Sequence, residues 1–269
     1  MSKTPQLGFP APLLGMDPLR LPILMDNGDC LALAKPQGVL VQADSWYPRC
    51  PVLVEAIRHQ ASGGKPEFER LGIGAEGLWA VHDLDPEFWG PVLFAKGREQ
   101  GDALRSACGS SAFEFTYIFL TKSSRENRLE TSFECDLPIS RHRTQNRILV
   151  SHTTGKMATT RFDKIGNMGR YELWMAKTDF PRRHQILLHA LESGIPVLGD
   201  GTYAREKPLL LSRFKRNYRS KQDIEERPLY DGPACYLSRI QFGSHVDVAS
   251  PEPPKWKGLV NQLVRLSAG

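Results

Sequence analysis

Arg182-Arg183-His184-Gln185-Ile186-Leu187-Leu188-His189, followed by Gly194-Ile195-Pro196-Val197-Leu198-Gly199-Asp200, is the stretch on which the fold of this chain turns. Asp179 stands where it can cap a helix, and Pro181 is tolerated in the first turn, where its missing N–H costs nothing. The helix is expected to run to about Ser193 and to stop at Gly194, a residue that takes the left-handed conformation without strain. His184 and His189 are five residues apart, about 500° of helical rotation, so they do not share a face as a metal pair would. Hydrogen bonding at the helix start is the favoured reading of His184.

Working outward, strands are expected at Asp29–Ala34, Leu78–His82, Val92–Ala95, Arg147–Ser151, Ala158–Asp163, Tyr171–Lys177 and Tyr236–Phe242. Phe113–Thr121 is strongly strand-forming, with Phe113, Phe115, Tyr117 and Phe119 on one face. Helices are expected at Pro51–Ala61, Arg98–Cys108 and Lys257–Leu266. Residues 1–21, rich in Pro and Gly, read as an extended arm, with no appended RNA-binding domain before Ile23. Pro251–Pro254 reads as a stiff linker and not as a domain boundary. Strands do not alternate regularly with helices, so an α+β fold with a mixed sheet fits better than a doubly wound one.

A chain of 269 residues, 41% of them hydrophobic, can bury a sizeable core as one large domain or two joined lobes. No run approaches a membrane span, and no basic start precedes an apolar run, so neither a membrane anchor nor a secretory signal is expected. Five scattered cysteines without a C-x-x-C pair suit a reducing, cytoplasmic setting and argue against a cysteine-held zinc. The net charge of +5 permits an anionic partner without requiring one.

Several motifs admit chemistry. Gly72-Ile73-Gly74-Ala75-Glu76-Gly77 matches G-x-G-x-x-G, but the polar run Lys65–Arg70 precedes it where a dinucleotide site needs an apolar strand, so a loop is expected. Asp83-Leu84-Asp85 resembles the D-x-D metal motif of nucleotide-sugar transferases. Mg²⁺ between two carboxylates is one reading, and a pair diverging at Pro86 is the blander and preferred reading for Asp83. Arg205–Lys221, with Arg213, Lys215, Arg216 and Arg219 interleaved with Phe214 and Tyr218, suits phosphates and unpaired bases. Arg141, Arg143 and Arg147 form a second basic run. A solvated face is the competing reading of both.

Taken in order, the segments resemble the RluA-like family of RNA pseudouridine synthases. Asp29–Val41, containing Lys35-Pro36-Gln37-Gly38, is similar to the family's opening strand and K-P-x-G-x-x-V turn. Val81-His82-Asp83-Leu84-Asp85, ending at Gly90, is similar to V-H-R-L-D-x-x-T-S-G. Tyr117 sits in a strand like that of K-x-Y-x-A, and Gly155–Thr160 is similar to G-K-x-A-x-T. Arg182–Ile186 and Gly194–Tyr203 complete a collinear set over roughly residues 23–250.

The resemblance implies a mixed, largely antiparallel sheet in two lobes flanked by helices, with a central RNA-binding cleft. Residues 22–269 would form one catalytic domain after the arm 1–21. It implies isomerisation of uridine to pseudouridine in ribosomal or transfer RNA by a monomer, without cofactor or metal. Asp85 maps to the nucleophile and Tyr117 to the residue that stacks on the flipped base. RNA contacts are expected from His82, Lys156, Arg182, His184, Gln185, Arg213, Lys215, Arg216 and Arg219.

The chain departs from the family at named places. Leu187 stands where the family's aspartate-pairing arginine falls, and Asp83 replaces the arginine of H-R-L-D. Phe88 and Trp89 replace small residues, and Pro181 replaces a glycine. Losing a cation and gaining an anion both disfavour an ionised Asp85. Arg183, four residues before Leu187, would face the same side of a helix and substitute for the missing guanidinium. The alternative is an inactive RNA-binding protein that kept the fold; a metal-dependent nucleotide-sugar enzyme using Asp83 and Asp85 is a remote third.

Overall fold

The computed structural model describes residues 4–123, 130–214 and 226–267. The chain divides into two compact units. The first comprises Met1–Phe115, Asp179–Arg183 and Leu237–Pro251, the second Thr116–Thr178, His184–Tyr236 and Glu252–Gly269.

The first unit is built on a five-stranded sheet of β1 (Gln6–Phe9), β2 (Leu19–Asp26), β3 (Cys30–Lys35), β4 (Trp79–Ala80) and β5 (Gly90–Ala95), in the order β1-β2-β3-β5-β4. Its helices are α1 (Leu53–Ser62), α2 (Pro66–Arg70) and α3 (Arg98–Ala107). Every residue of β3 and of β5 is buried, so these strands read as continuous apolar runs, not as alternating ones. Their antiparallel register sets Lys35 opposite Gly90. The loop that leaves β3 and the loop that enters β5 therefore meet at one end of the sheet, where the Gly38 N–H donates to the Pro86 carbonyl at 2.7 Å.

Gly90 itself is required by a close approach. The Leu237 N–H donates to the Trp89 carbonyl, and a Cβ on Gly90 would lie 2.6 Å from both Cβ and O of Leu237. The segment expected to be an extended arm contributes β1 and the start of β2, paired Gln6↔Pro22 to Phe9↔Leu19. The glycine-rich segment 72–77 is a loop between α2 and β4, as its polar approach suggested. Pro251–Pro254, expected to carry no boundary, holds the passage between the units at Pro251/Glu252.

β6 (Phe113–Lys122) enters the second unit at Thr116, where β7 (Ser132–Cys135), β8 (Ile139–Arg141), β9 (Ile148–Val150), β10 (Thr160–Met168) and β11 (Tyr171–Thr178) follow. Next come α4 (Gln185–Glu192), α5 (Leu211–Phe214), β12 (Cys235–Phe242), β13 (Val246–Ala249) and α6 (Trp256–Ser267). A six-stranded sheet runs β13-β12-β6-β11-β10-β7, and β8 and β9 form an antiparallel pair of their own. Phe113, Phe115, Tyr117 and Phe119 of β6 are all buried, as their alternation predicts. The fold is α+β, with antiparallel sheets and few helices. No described helix is long and apolar enough to cross a membrane.

The helix expected from Asp179 begins only at Gln185. His184 precedes it with φ 51°, a left-handed conformation that no α-helix continues through. Asp179–Arg183 belongs instead to the first unit, where the Asp179 carbonyl accepts from the Gly109 N–H.

Candidate active site

Asp85 lies in the loop between β4 and β5 and is 8% exposed. The loop is held from within. Burial keeps His82 neutral, its pKa pushed down to about 4. Its Nε2 accepts from the Leu93 N–H at 3.2 Å, which leaves the ring proton on Nδ1 to donate to the Asp83 carbonyl at 3.0 Å. The Phe88 N–H closes the turn on the Asp85 carbonyl at 3.0 Å. Phe88 fills the core, and the Trp89 indole N–H donates toward Ser250 Oγ and the Pro251 carbonyl.

A single guanidinium dominates the charge around Asp85. Arg183 places Nη2 2.9 Å from Asp83 Oδ2, Nη1 3.2 Å from Asp44 Oδ2 and Nε 3.8 Å from Asp85 Oδ1. The rings of Trp46 and Tyr47 lie 5.5 and 5.9 Å from its central carbon. Burial pulls the Arg183 pKa down, but Asp85, Asp83 and Asp44 more than offset it, and the guanidinium is held in its charged form. The helical premise for Arg183 thus fails, since it precedes α4, yet its side chain reaches toward Asp85 from the turn before that helix. Asp83 and Asp85 both pair with this guanidinium.

Lys35, Gln37, Asp44, Trp46, Tyr47 and Glu87, to which no motif assigned a role, also belong to the site. Lys35 is fully buried, with Nζ donating to the carbonyls of Val39 at 2.8 Å and Pro36 at 3.0 Å. Desolvation pushes its pKa down to about 8 against the opposing pull of Asp83, Asp85 and Glu87. Tyr47 donates its hydroxyl to Glu87 Oε1 at 2.7 Å, and Gln37 Nε2 donates to the Glu87 carbonyl at 2.9 Å. Burial first, then Glu87, raises the Tyr47 phenol above its ordinary pKa, so it stays a donor. The signal for Lys35 was its place at the end of an all-apolar strand. Asp44, Trp46 and Tyr47 carried no motif.

The remaining expected residues fall elsewhere. Arg182 is half-buried in the first unit, its guanidinium carbon 5.0 Å from the Phe180 ring centroid. Tyr117, Lys156, His184 and Gln185 belong to the second unit. Lys156 is exposed beside the basic β8–β9 hairpin, where Arg141, Arg143 and Arg147 are also exposed. His184 and Gln185 are buried and serve the fold. His184 Nδ1 is 2.8 Å from the Tyr203 hydroxyl, which also accepts from the Ile148 N–H at 3.0 Å. Gln185 Nε2 donates to the Thr159 carbonyl, Thr160 Oγ1 and Thr178 Oγ1. His189 bridges Thr160 Oγ1 and the Leu137 carbonyl. Asp200 gathers the N–H groups of Thr202, Tyr203 and Ala204, so the G-D-x-x-Y turn presents Tyr203 to His184. Arg213 lies in α5, its side chain outside the described set; Lys215, Arg216 and Arg219 lie outside the described residues.

No family model matches the chain. It is 28% identical to an uncharacterized RNA pseudouridine synthase from Aquifex aeolicus over 194 residues, 71% of this chain and 58% of that protein. To the ribosomal large subunit pseudouridine synthase D of Haemophilus influenzae it is 25% identical over 189 residues, 70% of this chain and 54% of that one. To the protein of the same name from Nitrosomonas europaea it is 26% identical over 250 residues, 86% and 68% of the two chains. The chain therefore spans little more than half the length of the Aquifex and Haemophilus relatives. Among solved structures it is similar to human RNA pseudouridylate synthase domain containing 4, with a TM-score of 0.65 at 16% identity over 90% of this chain and 92% of that one. Human RNA pseudouridylate synthase domain containing 1 gives 0.59 at 18% identity over 93% and 95%. The two human structures share the fold, and the chain is similar in sequence, at 25–28% identity along most of its length, to these curated pseudouridine synthases.

Proposed function

We propose that this protein isomerises uridine to pseudouridine in RNA, with Asp85 as the nucleophile, Tyr117 packing on the flipped base and Arg183 as the guanidinium that keeps Asp85 ionised. The reaction exchanges the N1–C1′ bond of the nucleoside for a C5–C1′ bond; the proton of C5 leaves to water and N1 gains one. No redox partner enters that balance. The observation that carries the reading is the Arg183–Asp85 pairing inside a loop where Asp85 is almost wholly buried. A buried carboxylate stays a competent anion only beside a cation. The Haemophilus and Nitrosomonas relatives are named for the ribosomal large subunit, so ribosomal RNA is the first substrate to test, and transfer RNA the second. The exposed hairpin arginines Arg141, Arg143 and Arg147, with Lys156, suit RNA phosphates.

The test uses RNA transcribed with uracil tritiated at carbon 5. Tritium released to water by the wild type, and not by Asp85→Asn, supports the enzyme. One observation favours the second reading, an RNA-binding protein without chemistry: Arg183 lies closer to Asp83, at 2.9 Å, than to Asp85, at 3.8 Å. Salt-sensitive RNA binding with no tritium released from ribosomal or transfer RNA would establish that reading instead.

A further inference from the structure

The wall of the first unit beside the aspartate loop carries a shallow cavity of about 200 Å³ that the proposed reaction does not use. Its lining includes the apolar Val52, Val54, Leu78 and Trp79 and the cationic Arg58 and Arg105. Each guanidinium is anchored by one backbone carbonyl. Arg58 Nε donates to the Glu76 carbonyl at 3.2 Å, and Arg105 Nη2 donates to the Ala80 carbonyl. Both side chains are exposed, and among the described residues neither forms an ion pair, although Glu55 also lines the cavity. This is the reverse of Arg183, whose charge is taken up by three carboxylates. Two fixed guanidinia with open donors and an indole beside them suit a phosphate and the face of a base.

The cavity is continuous in sequence with the site. Ala43 lines it and Asp44, the next residue, pairs with Arg183; Ala80, the last residue of β4, lines it, and the loop that follows carries Asp85. Its volume falls below the ~300–1,000 Å³ of sites that enclose a free drug-sized ligand, and suits one unit of a longer strand. We propose that Arg58, Arg105 and Trp79 form a subsite for a nucleotide flanking the target uridine, the arginines on its phosphates and the indole against its base. The proposal rests on the RNA reading above and deepens it.

The probe is a fluorescein-labelled, mixed-sequence 20-nucleotide RNA, followed by anisotropy between 50 and 200 mM KCl. Two lost phosphate contacts should lower the slope of log K against log salt by about 1.4 in Arg58→Gln/Arg105→Gln. Arg58→Lys/Arg105→Lys, which keeps both charges, should retain most of the slope. Trp79→Leu should bind roughly tenfold more weakly at an unchanged slope. Wild-type slope and affinity in the double glutamine variant would overturn the subsite while leaving the RNA reading intact. Absence of wild-type binding at 50 mM KCl would overturn the RNA reading, and the subsite with it.

Discussion

At the scale of single residues, the site turns on how one guanidinium is divided. Arg183 meets three carboxylates, a task its planar fork of donors suits and a lysine ammonium does not. Arg183→Lys should therefore lose activity by at least ~100-fold in the tritium assay, as expected when one preorganised donor is removed. Asp83→Asn should do the opposite of what its closeness suggests. Relieved of its nearest anion, Arg183 is left to Asp44 and Asp85, and kcat should hold or rise with KM unchanged; a loss as deep as that of Arg183→Lys would contradict this division of charge. His82 gives a pH prediction with a definite sign. Its folded pKa of about 4 lies below the ordinary 6.5, so the unfolded chain binds more protons between those values, and stability falls as the pH falls through them. From pH 7.5 to pH 5 this group should cost about 2 kcal/mol in urea unfolding, and the His82→Gln variant should show a correspondingly flatter profile.

At the scale of elements, glycines report where backbones must touch. A methyl at Gly90 would meet the Leu237 Cβ and carbonyl oxygen at 2.6 Å, so Gly90→Ala should lose roughly 2–4 kcal/mol and melt several degrees lower. Gly258, in α6 with open space around it, is its counterpart: Gly258→Ala should gain about 0.5–1 kcal/mol by the same measurement. The elements most legible in the sequence were those whose signature residues are buried polar groups. Gln185 and His189 converge on Thr160, and His184 meets Tyr203; few substitutes satisfy all those donors and acceptors, so these positions keep a readable spacing. His184 bonds to Tyr203, and Gln185 to Thr159, Thr160 and Thr178. Short edge strands such as β1 and β8 escaped notice because their pairing depends on distant partners and leaves little periodicity behind. The start of α4 was misplaced because local capping rules favoured Asp179, whereas the left-handed backbone of His184 lets the helix begin only at Gln185.

At the scale of the whole molecule, the five cysteines test the packing as a set. All are free thiols; Cys30, Cys135 and Cys235 are buried, and burial raises the pKa of Cys30, Cys50, Cys108 and Cys135, Cys108 to about 11. Titration with Ellman's reagent at pH 8 should find few fast-reacting thiols in the native protein and five in guanidinium chloride, with no gain after reduction. Sharing of Arg183 also bears on how the chain tolerates change. Interactions that draw on one charge are not additive, so the effect of altering Asp44, Asp83 or Asp85 depends on which of the others is present. Judged position by position, an aspartate at 83 counts as a loss; judged with Arg183, it is half of an exchange. The four positions form one epistatic set, and a substitution harmless in this chain can be lethal in a relative that carries a different member of it.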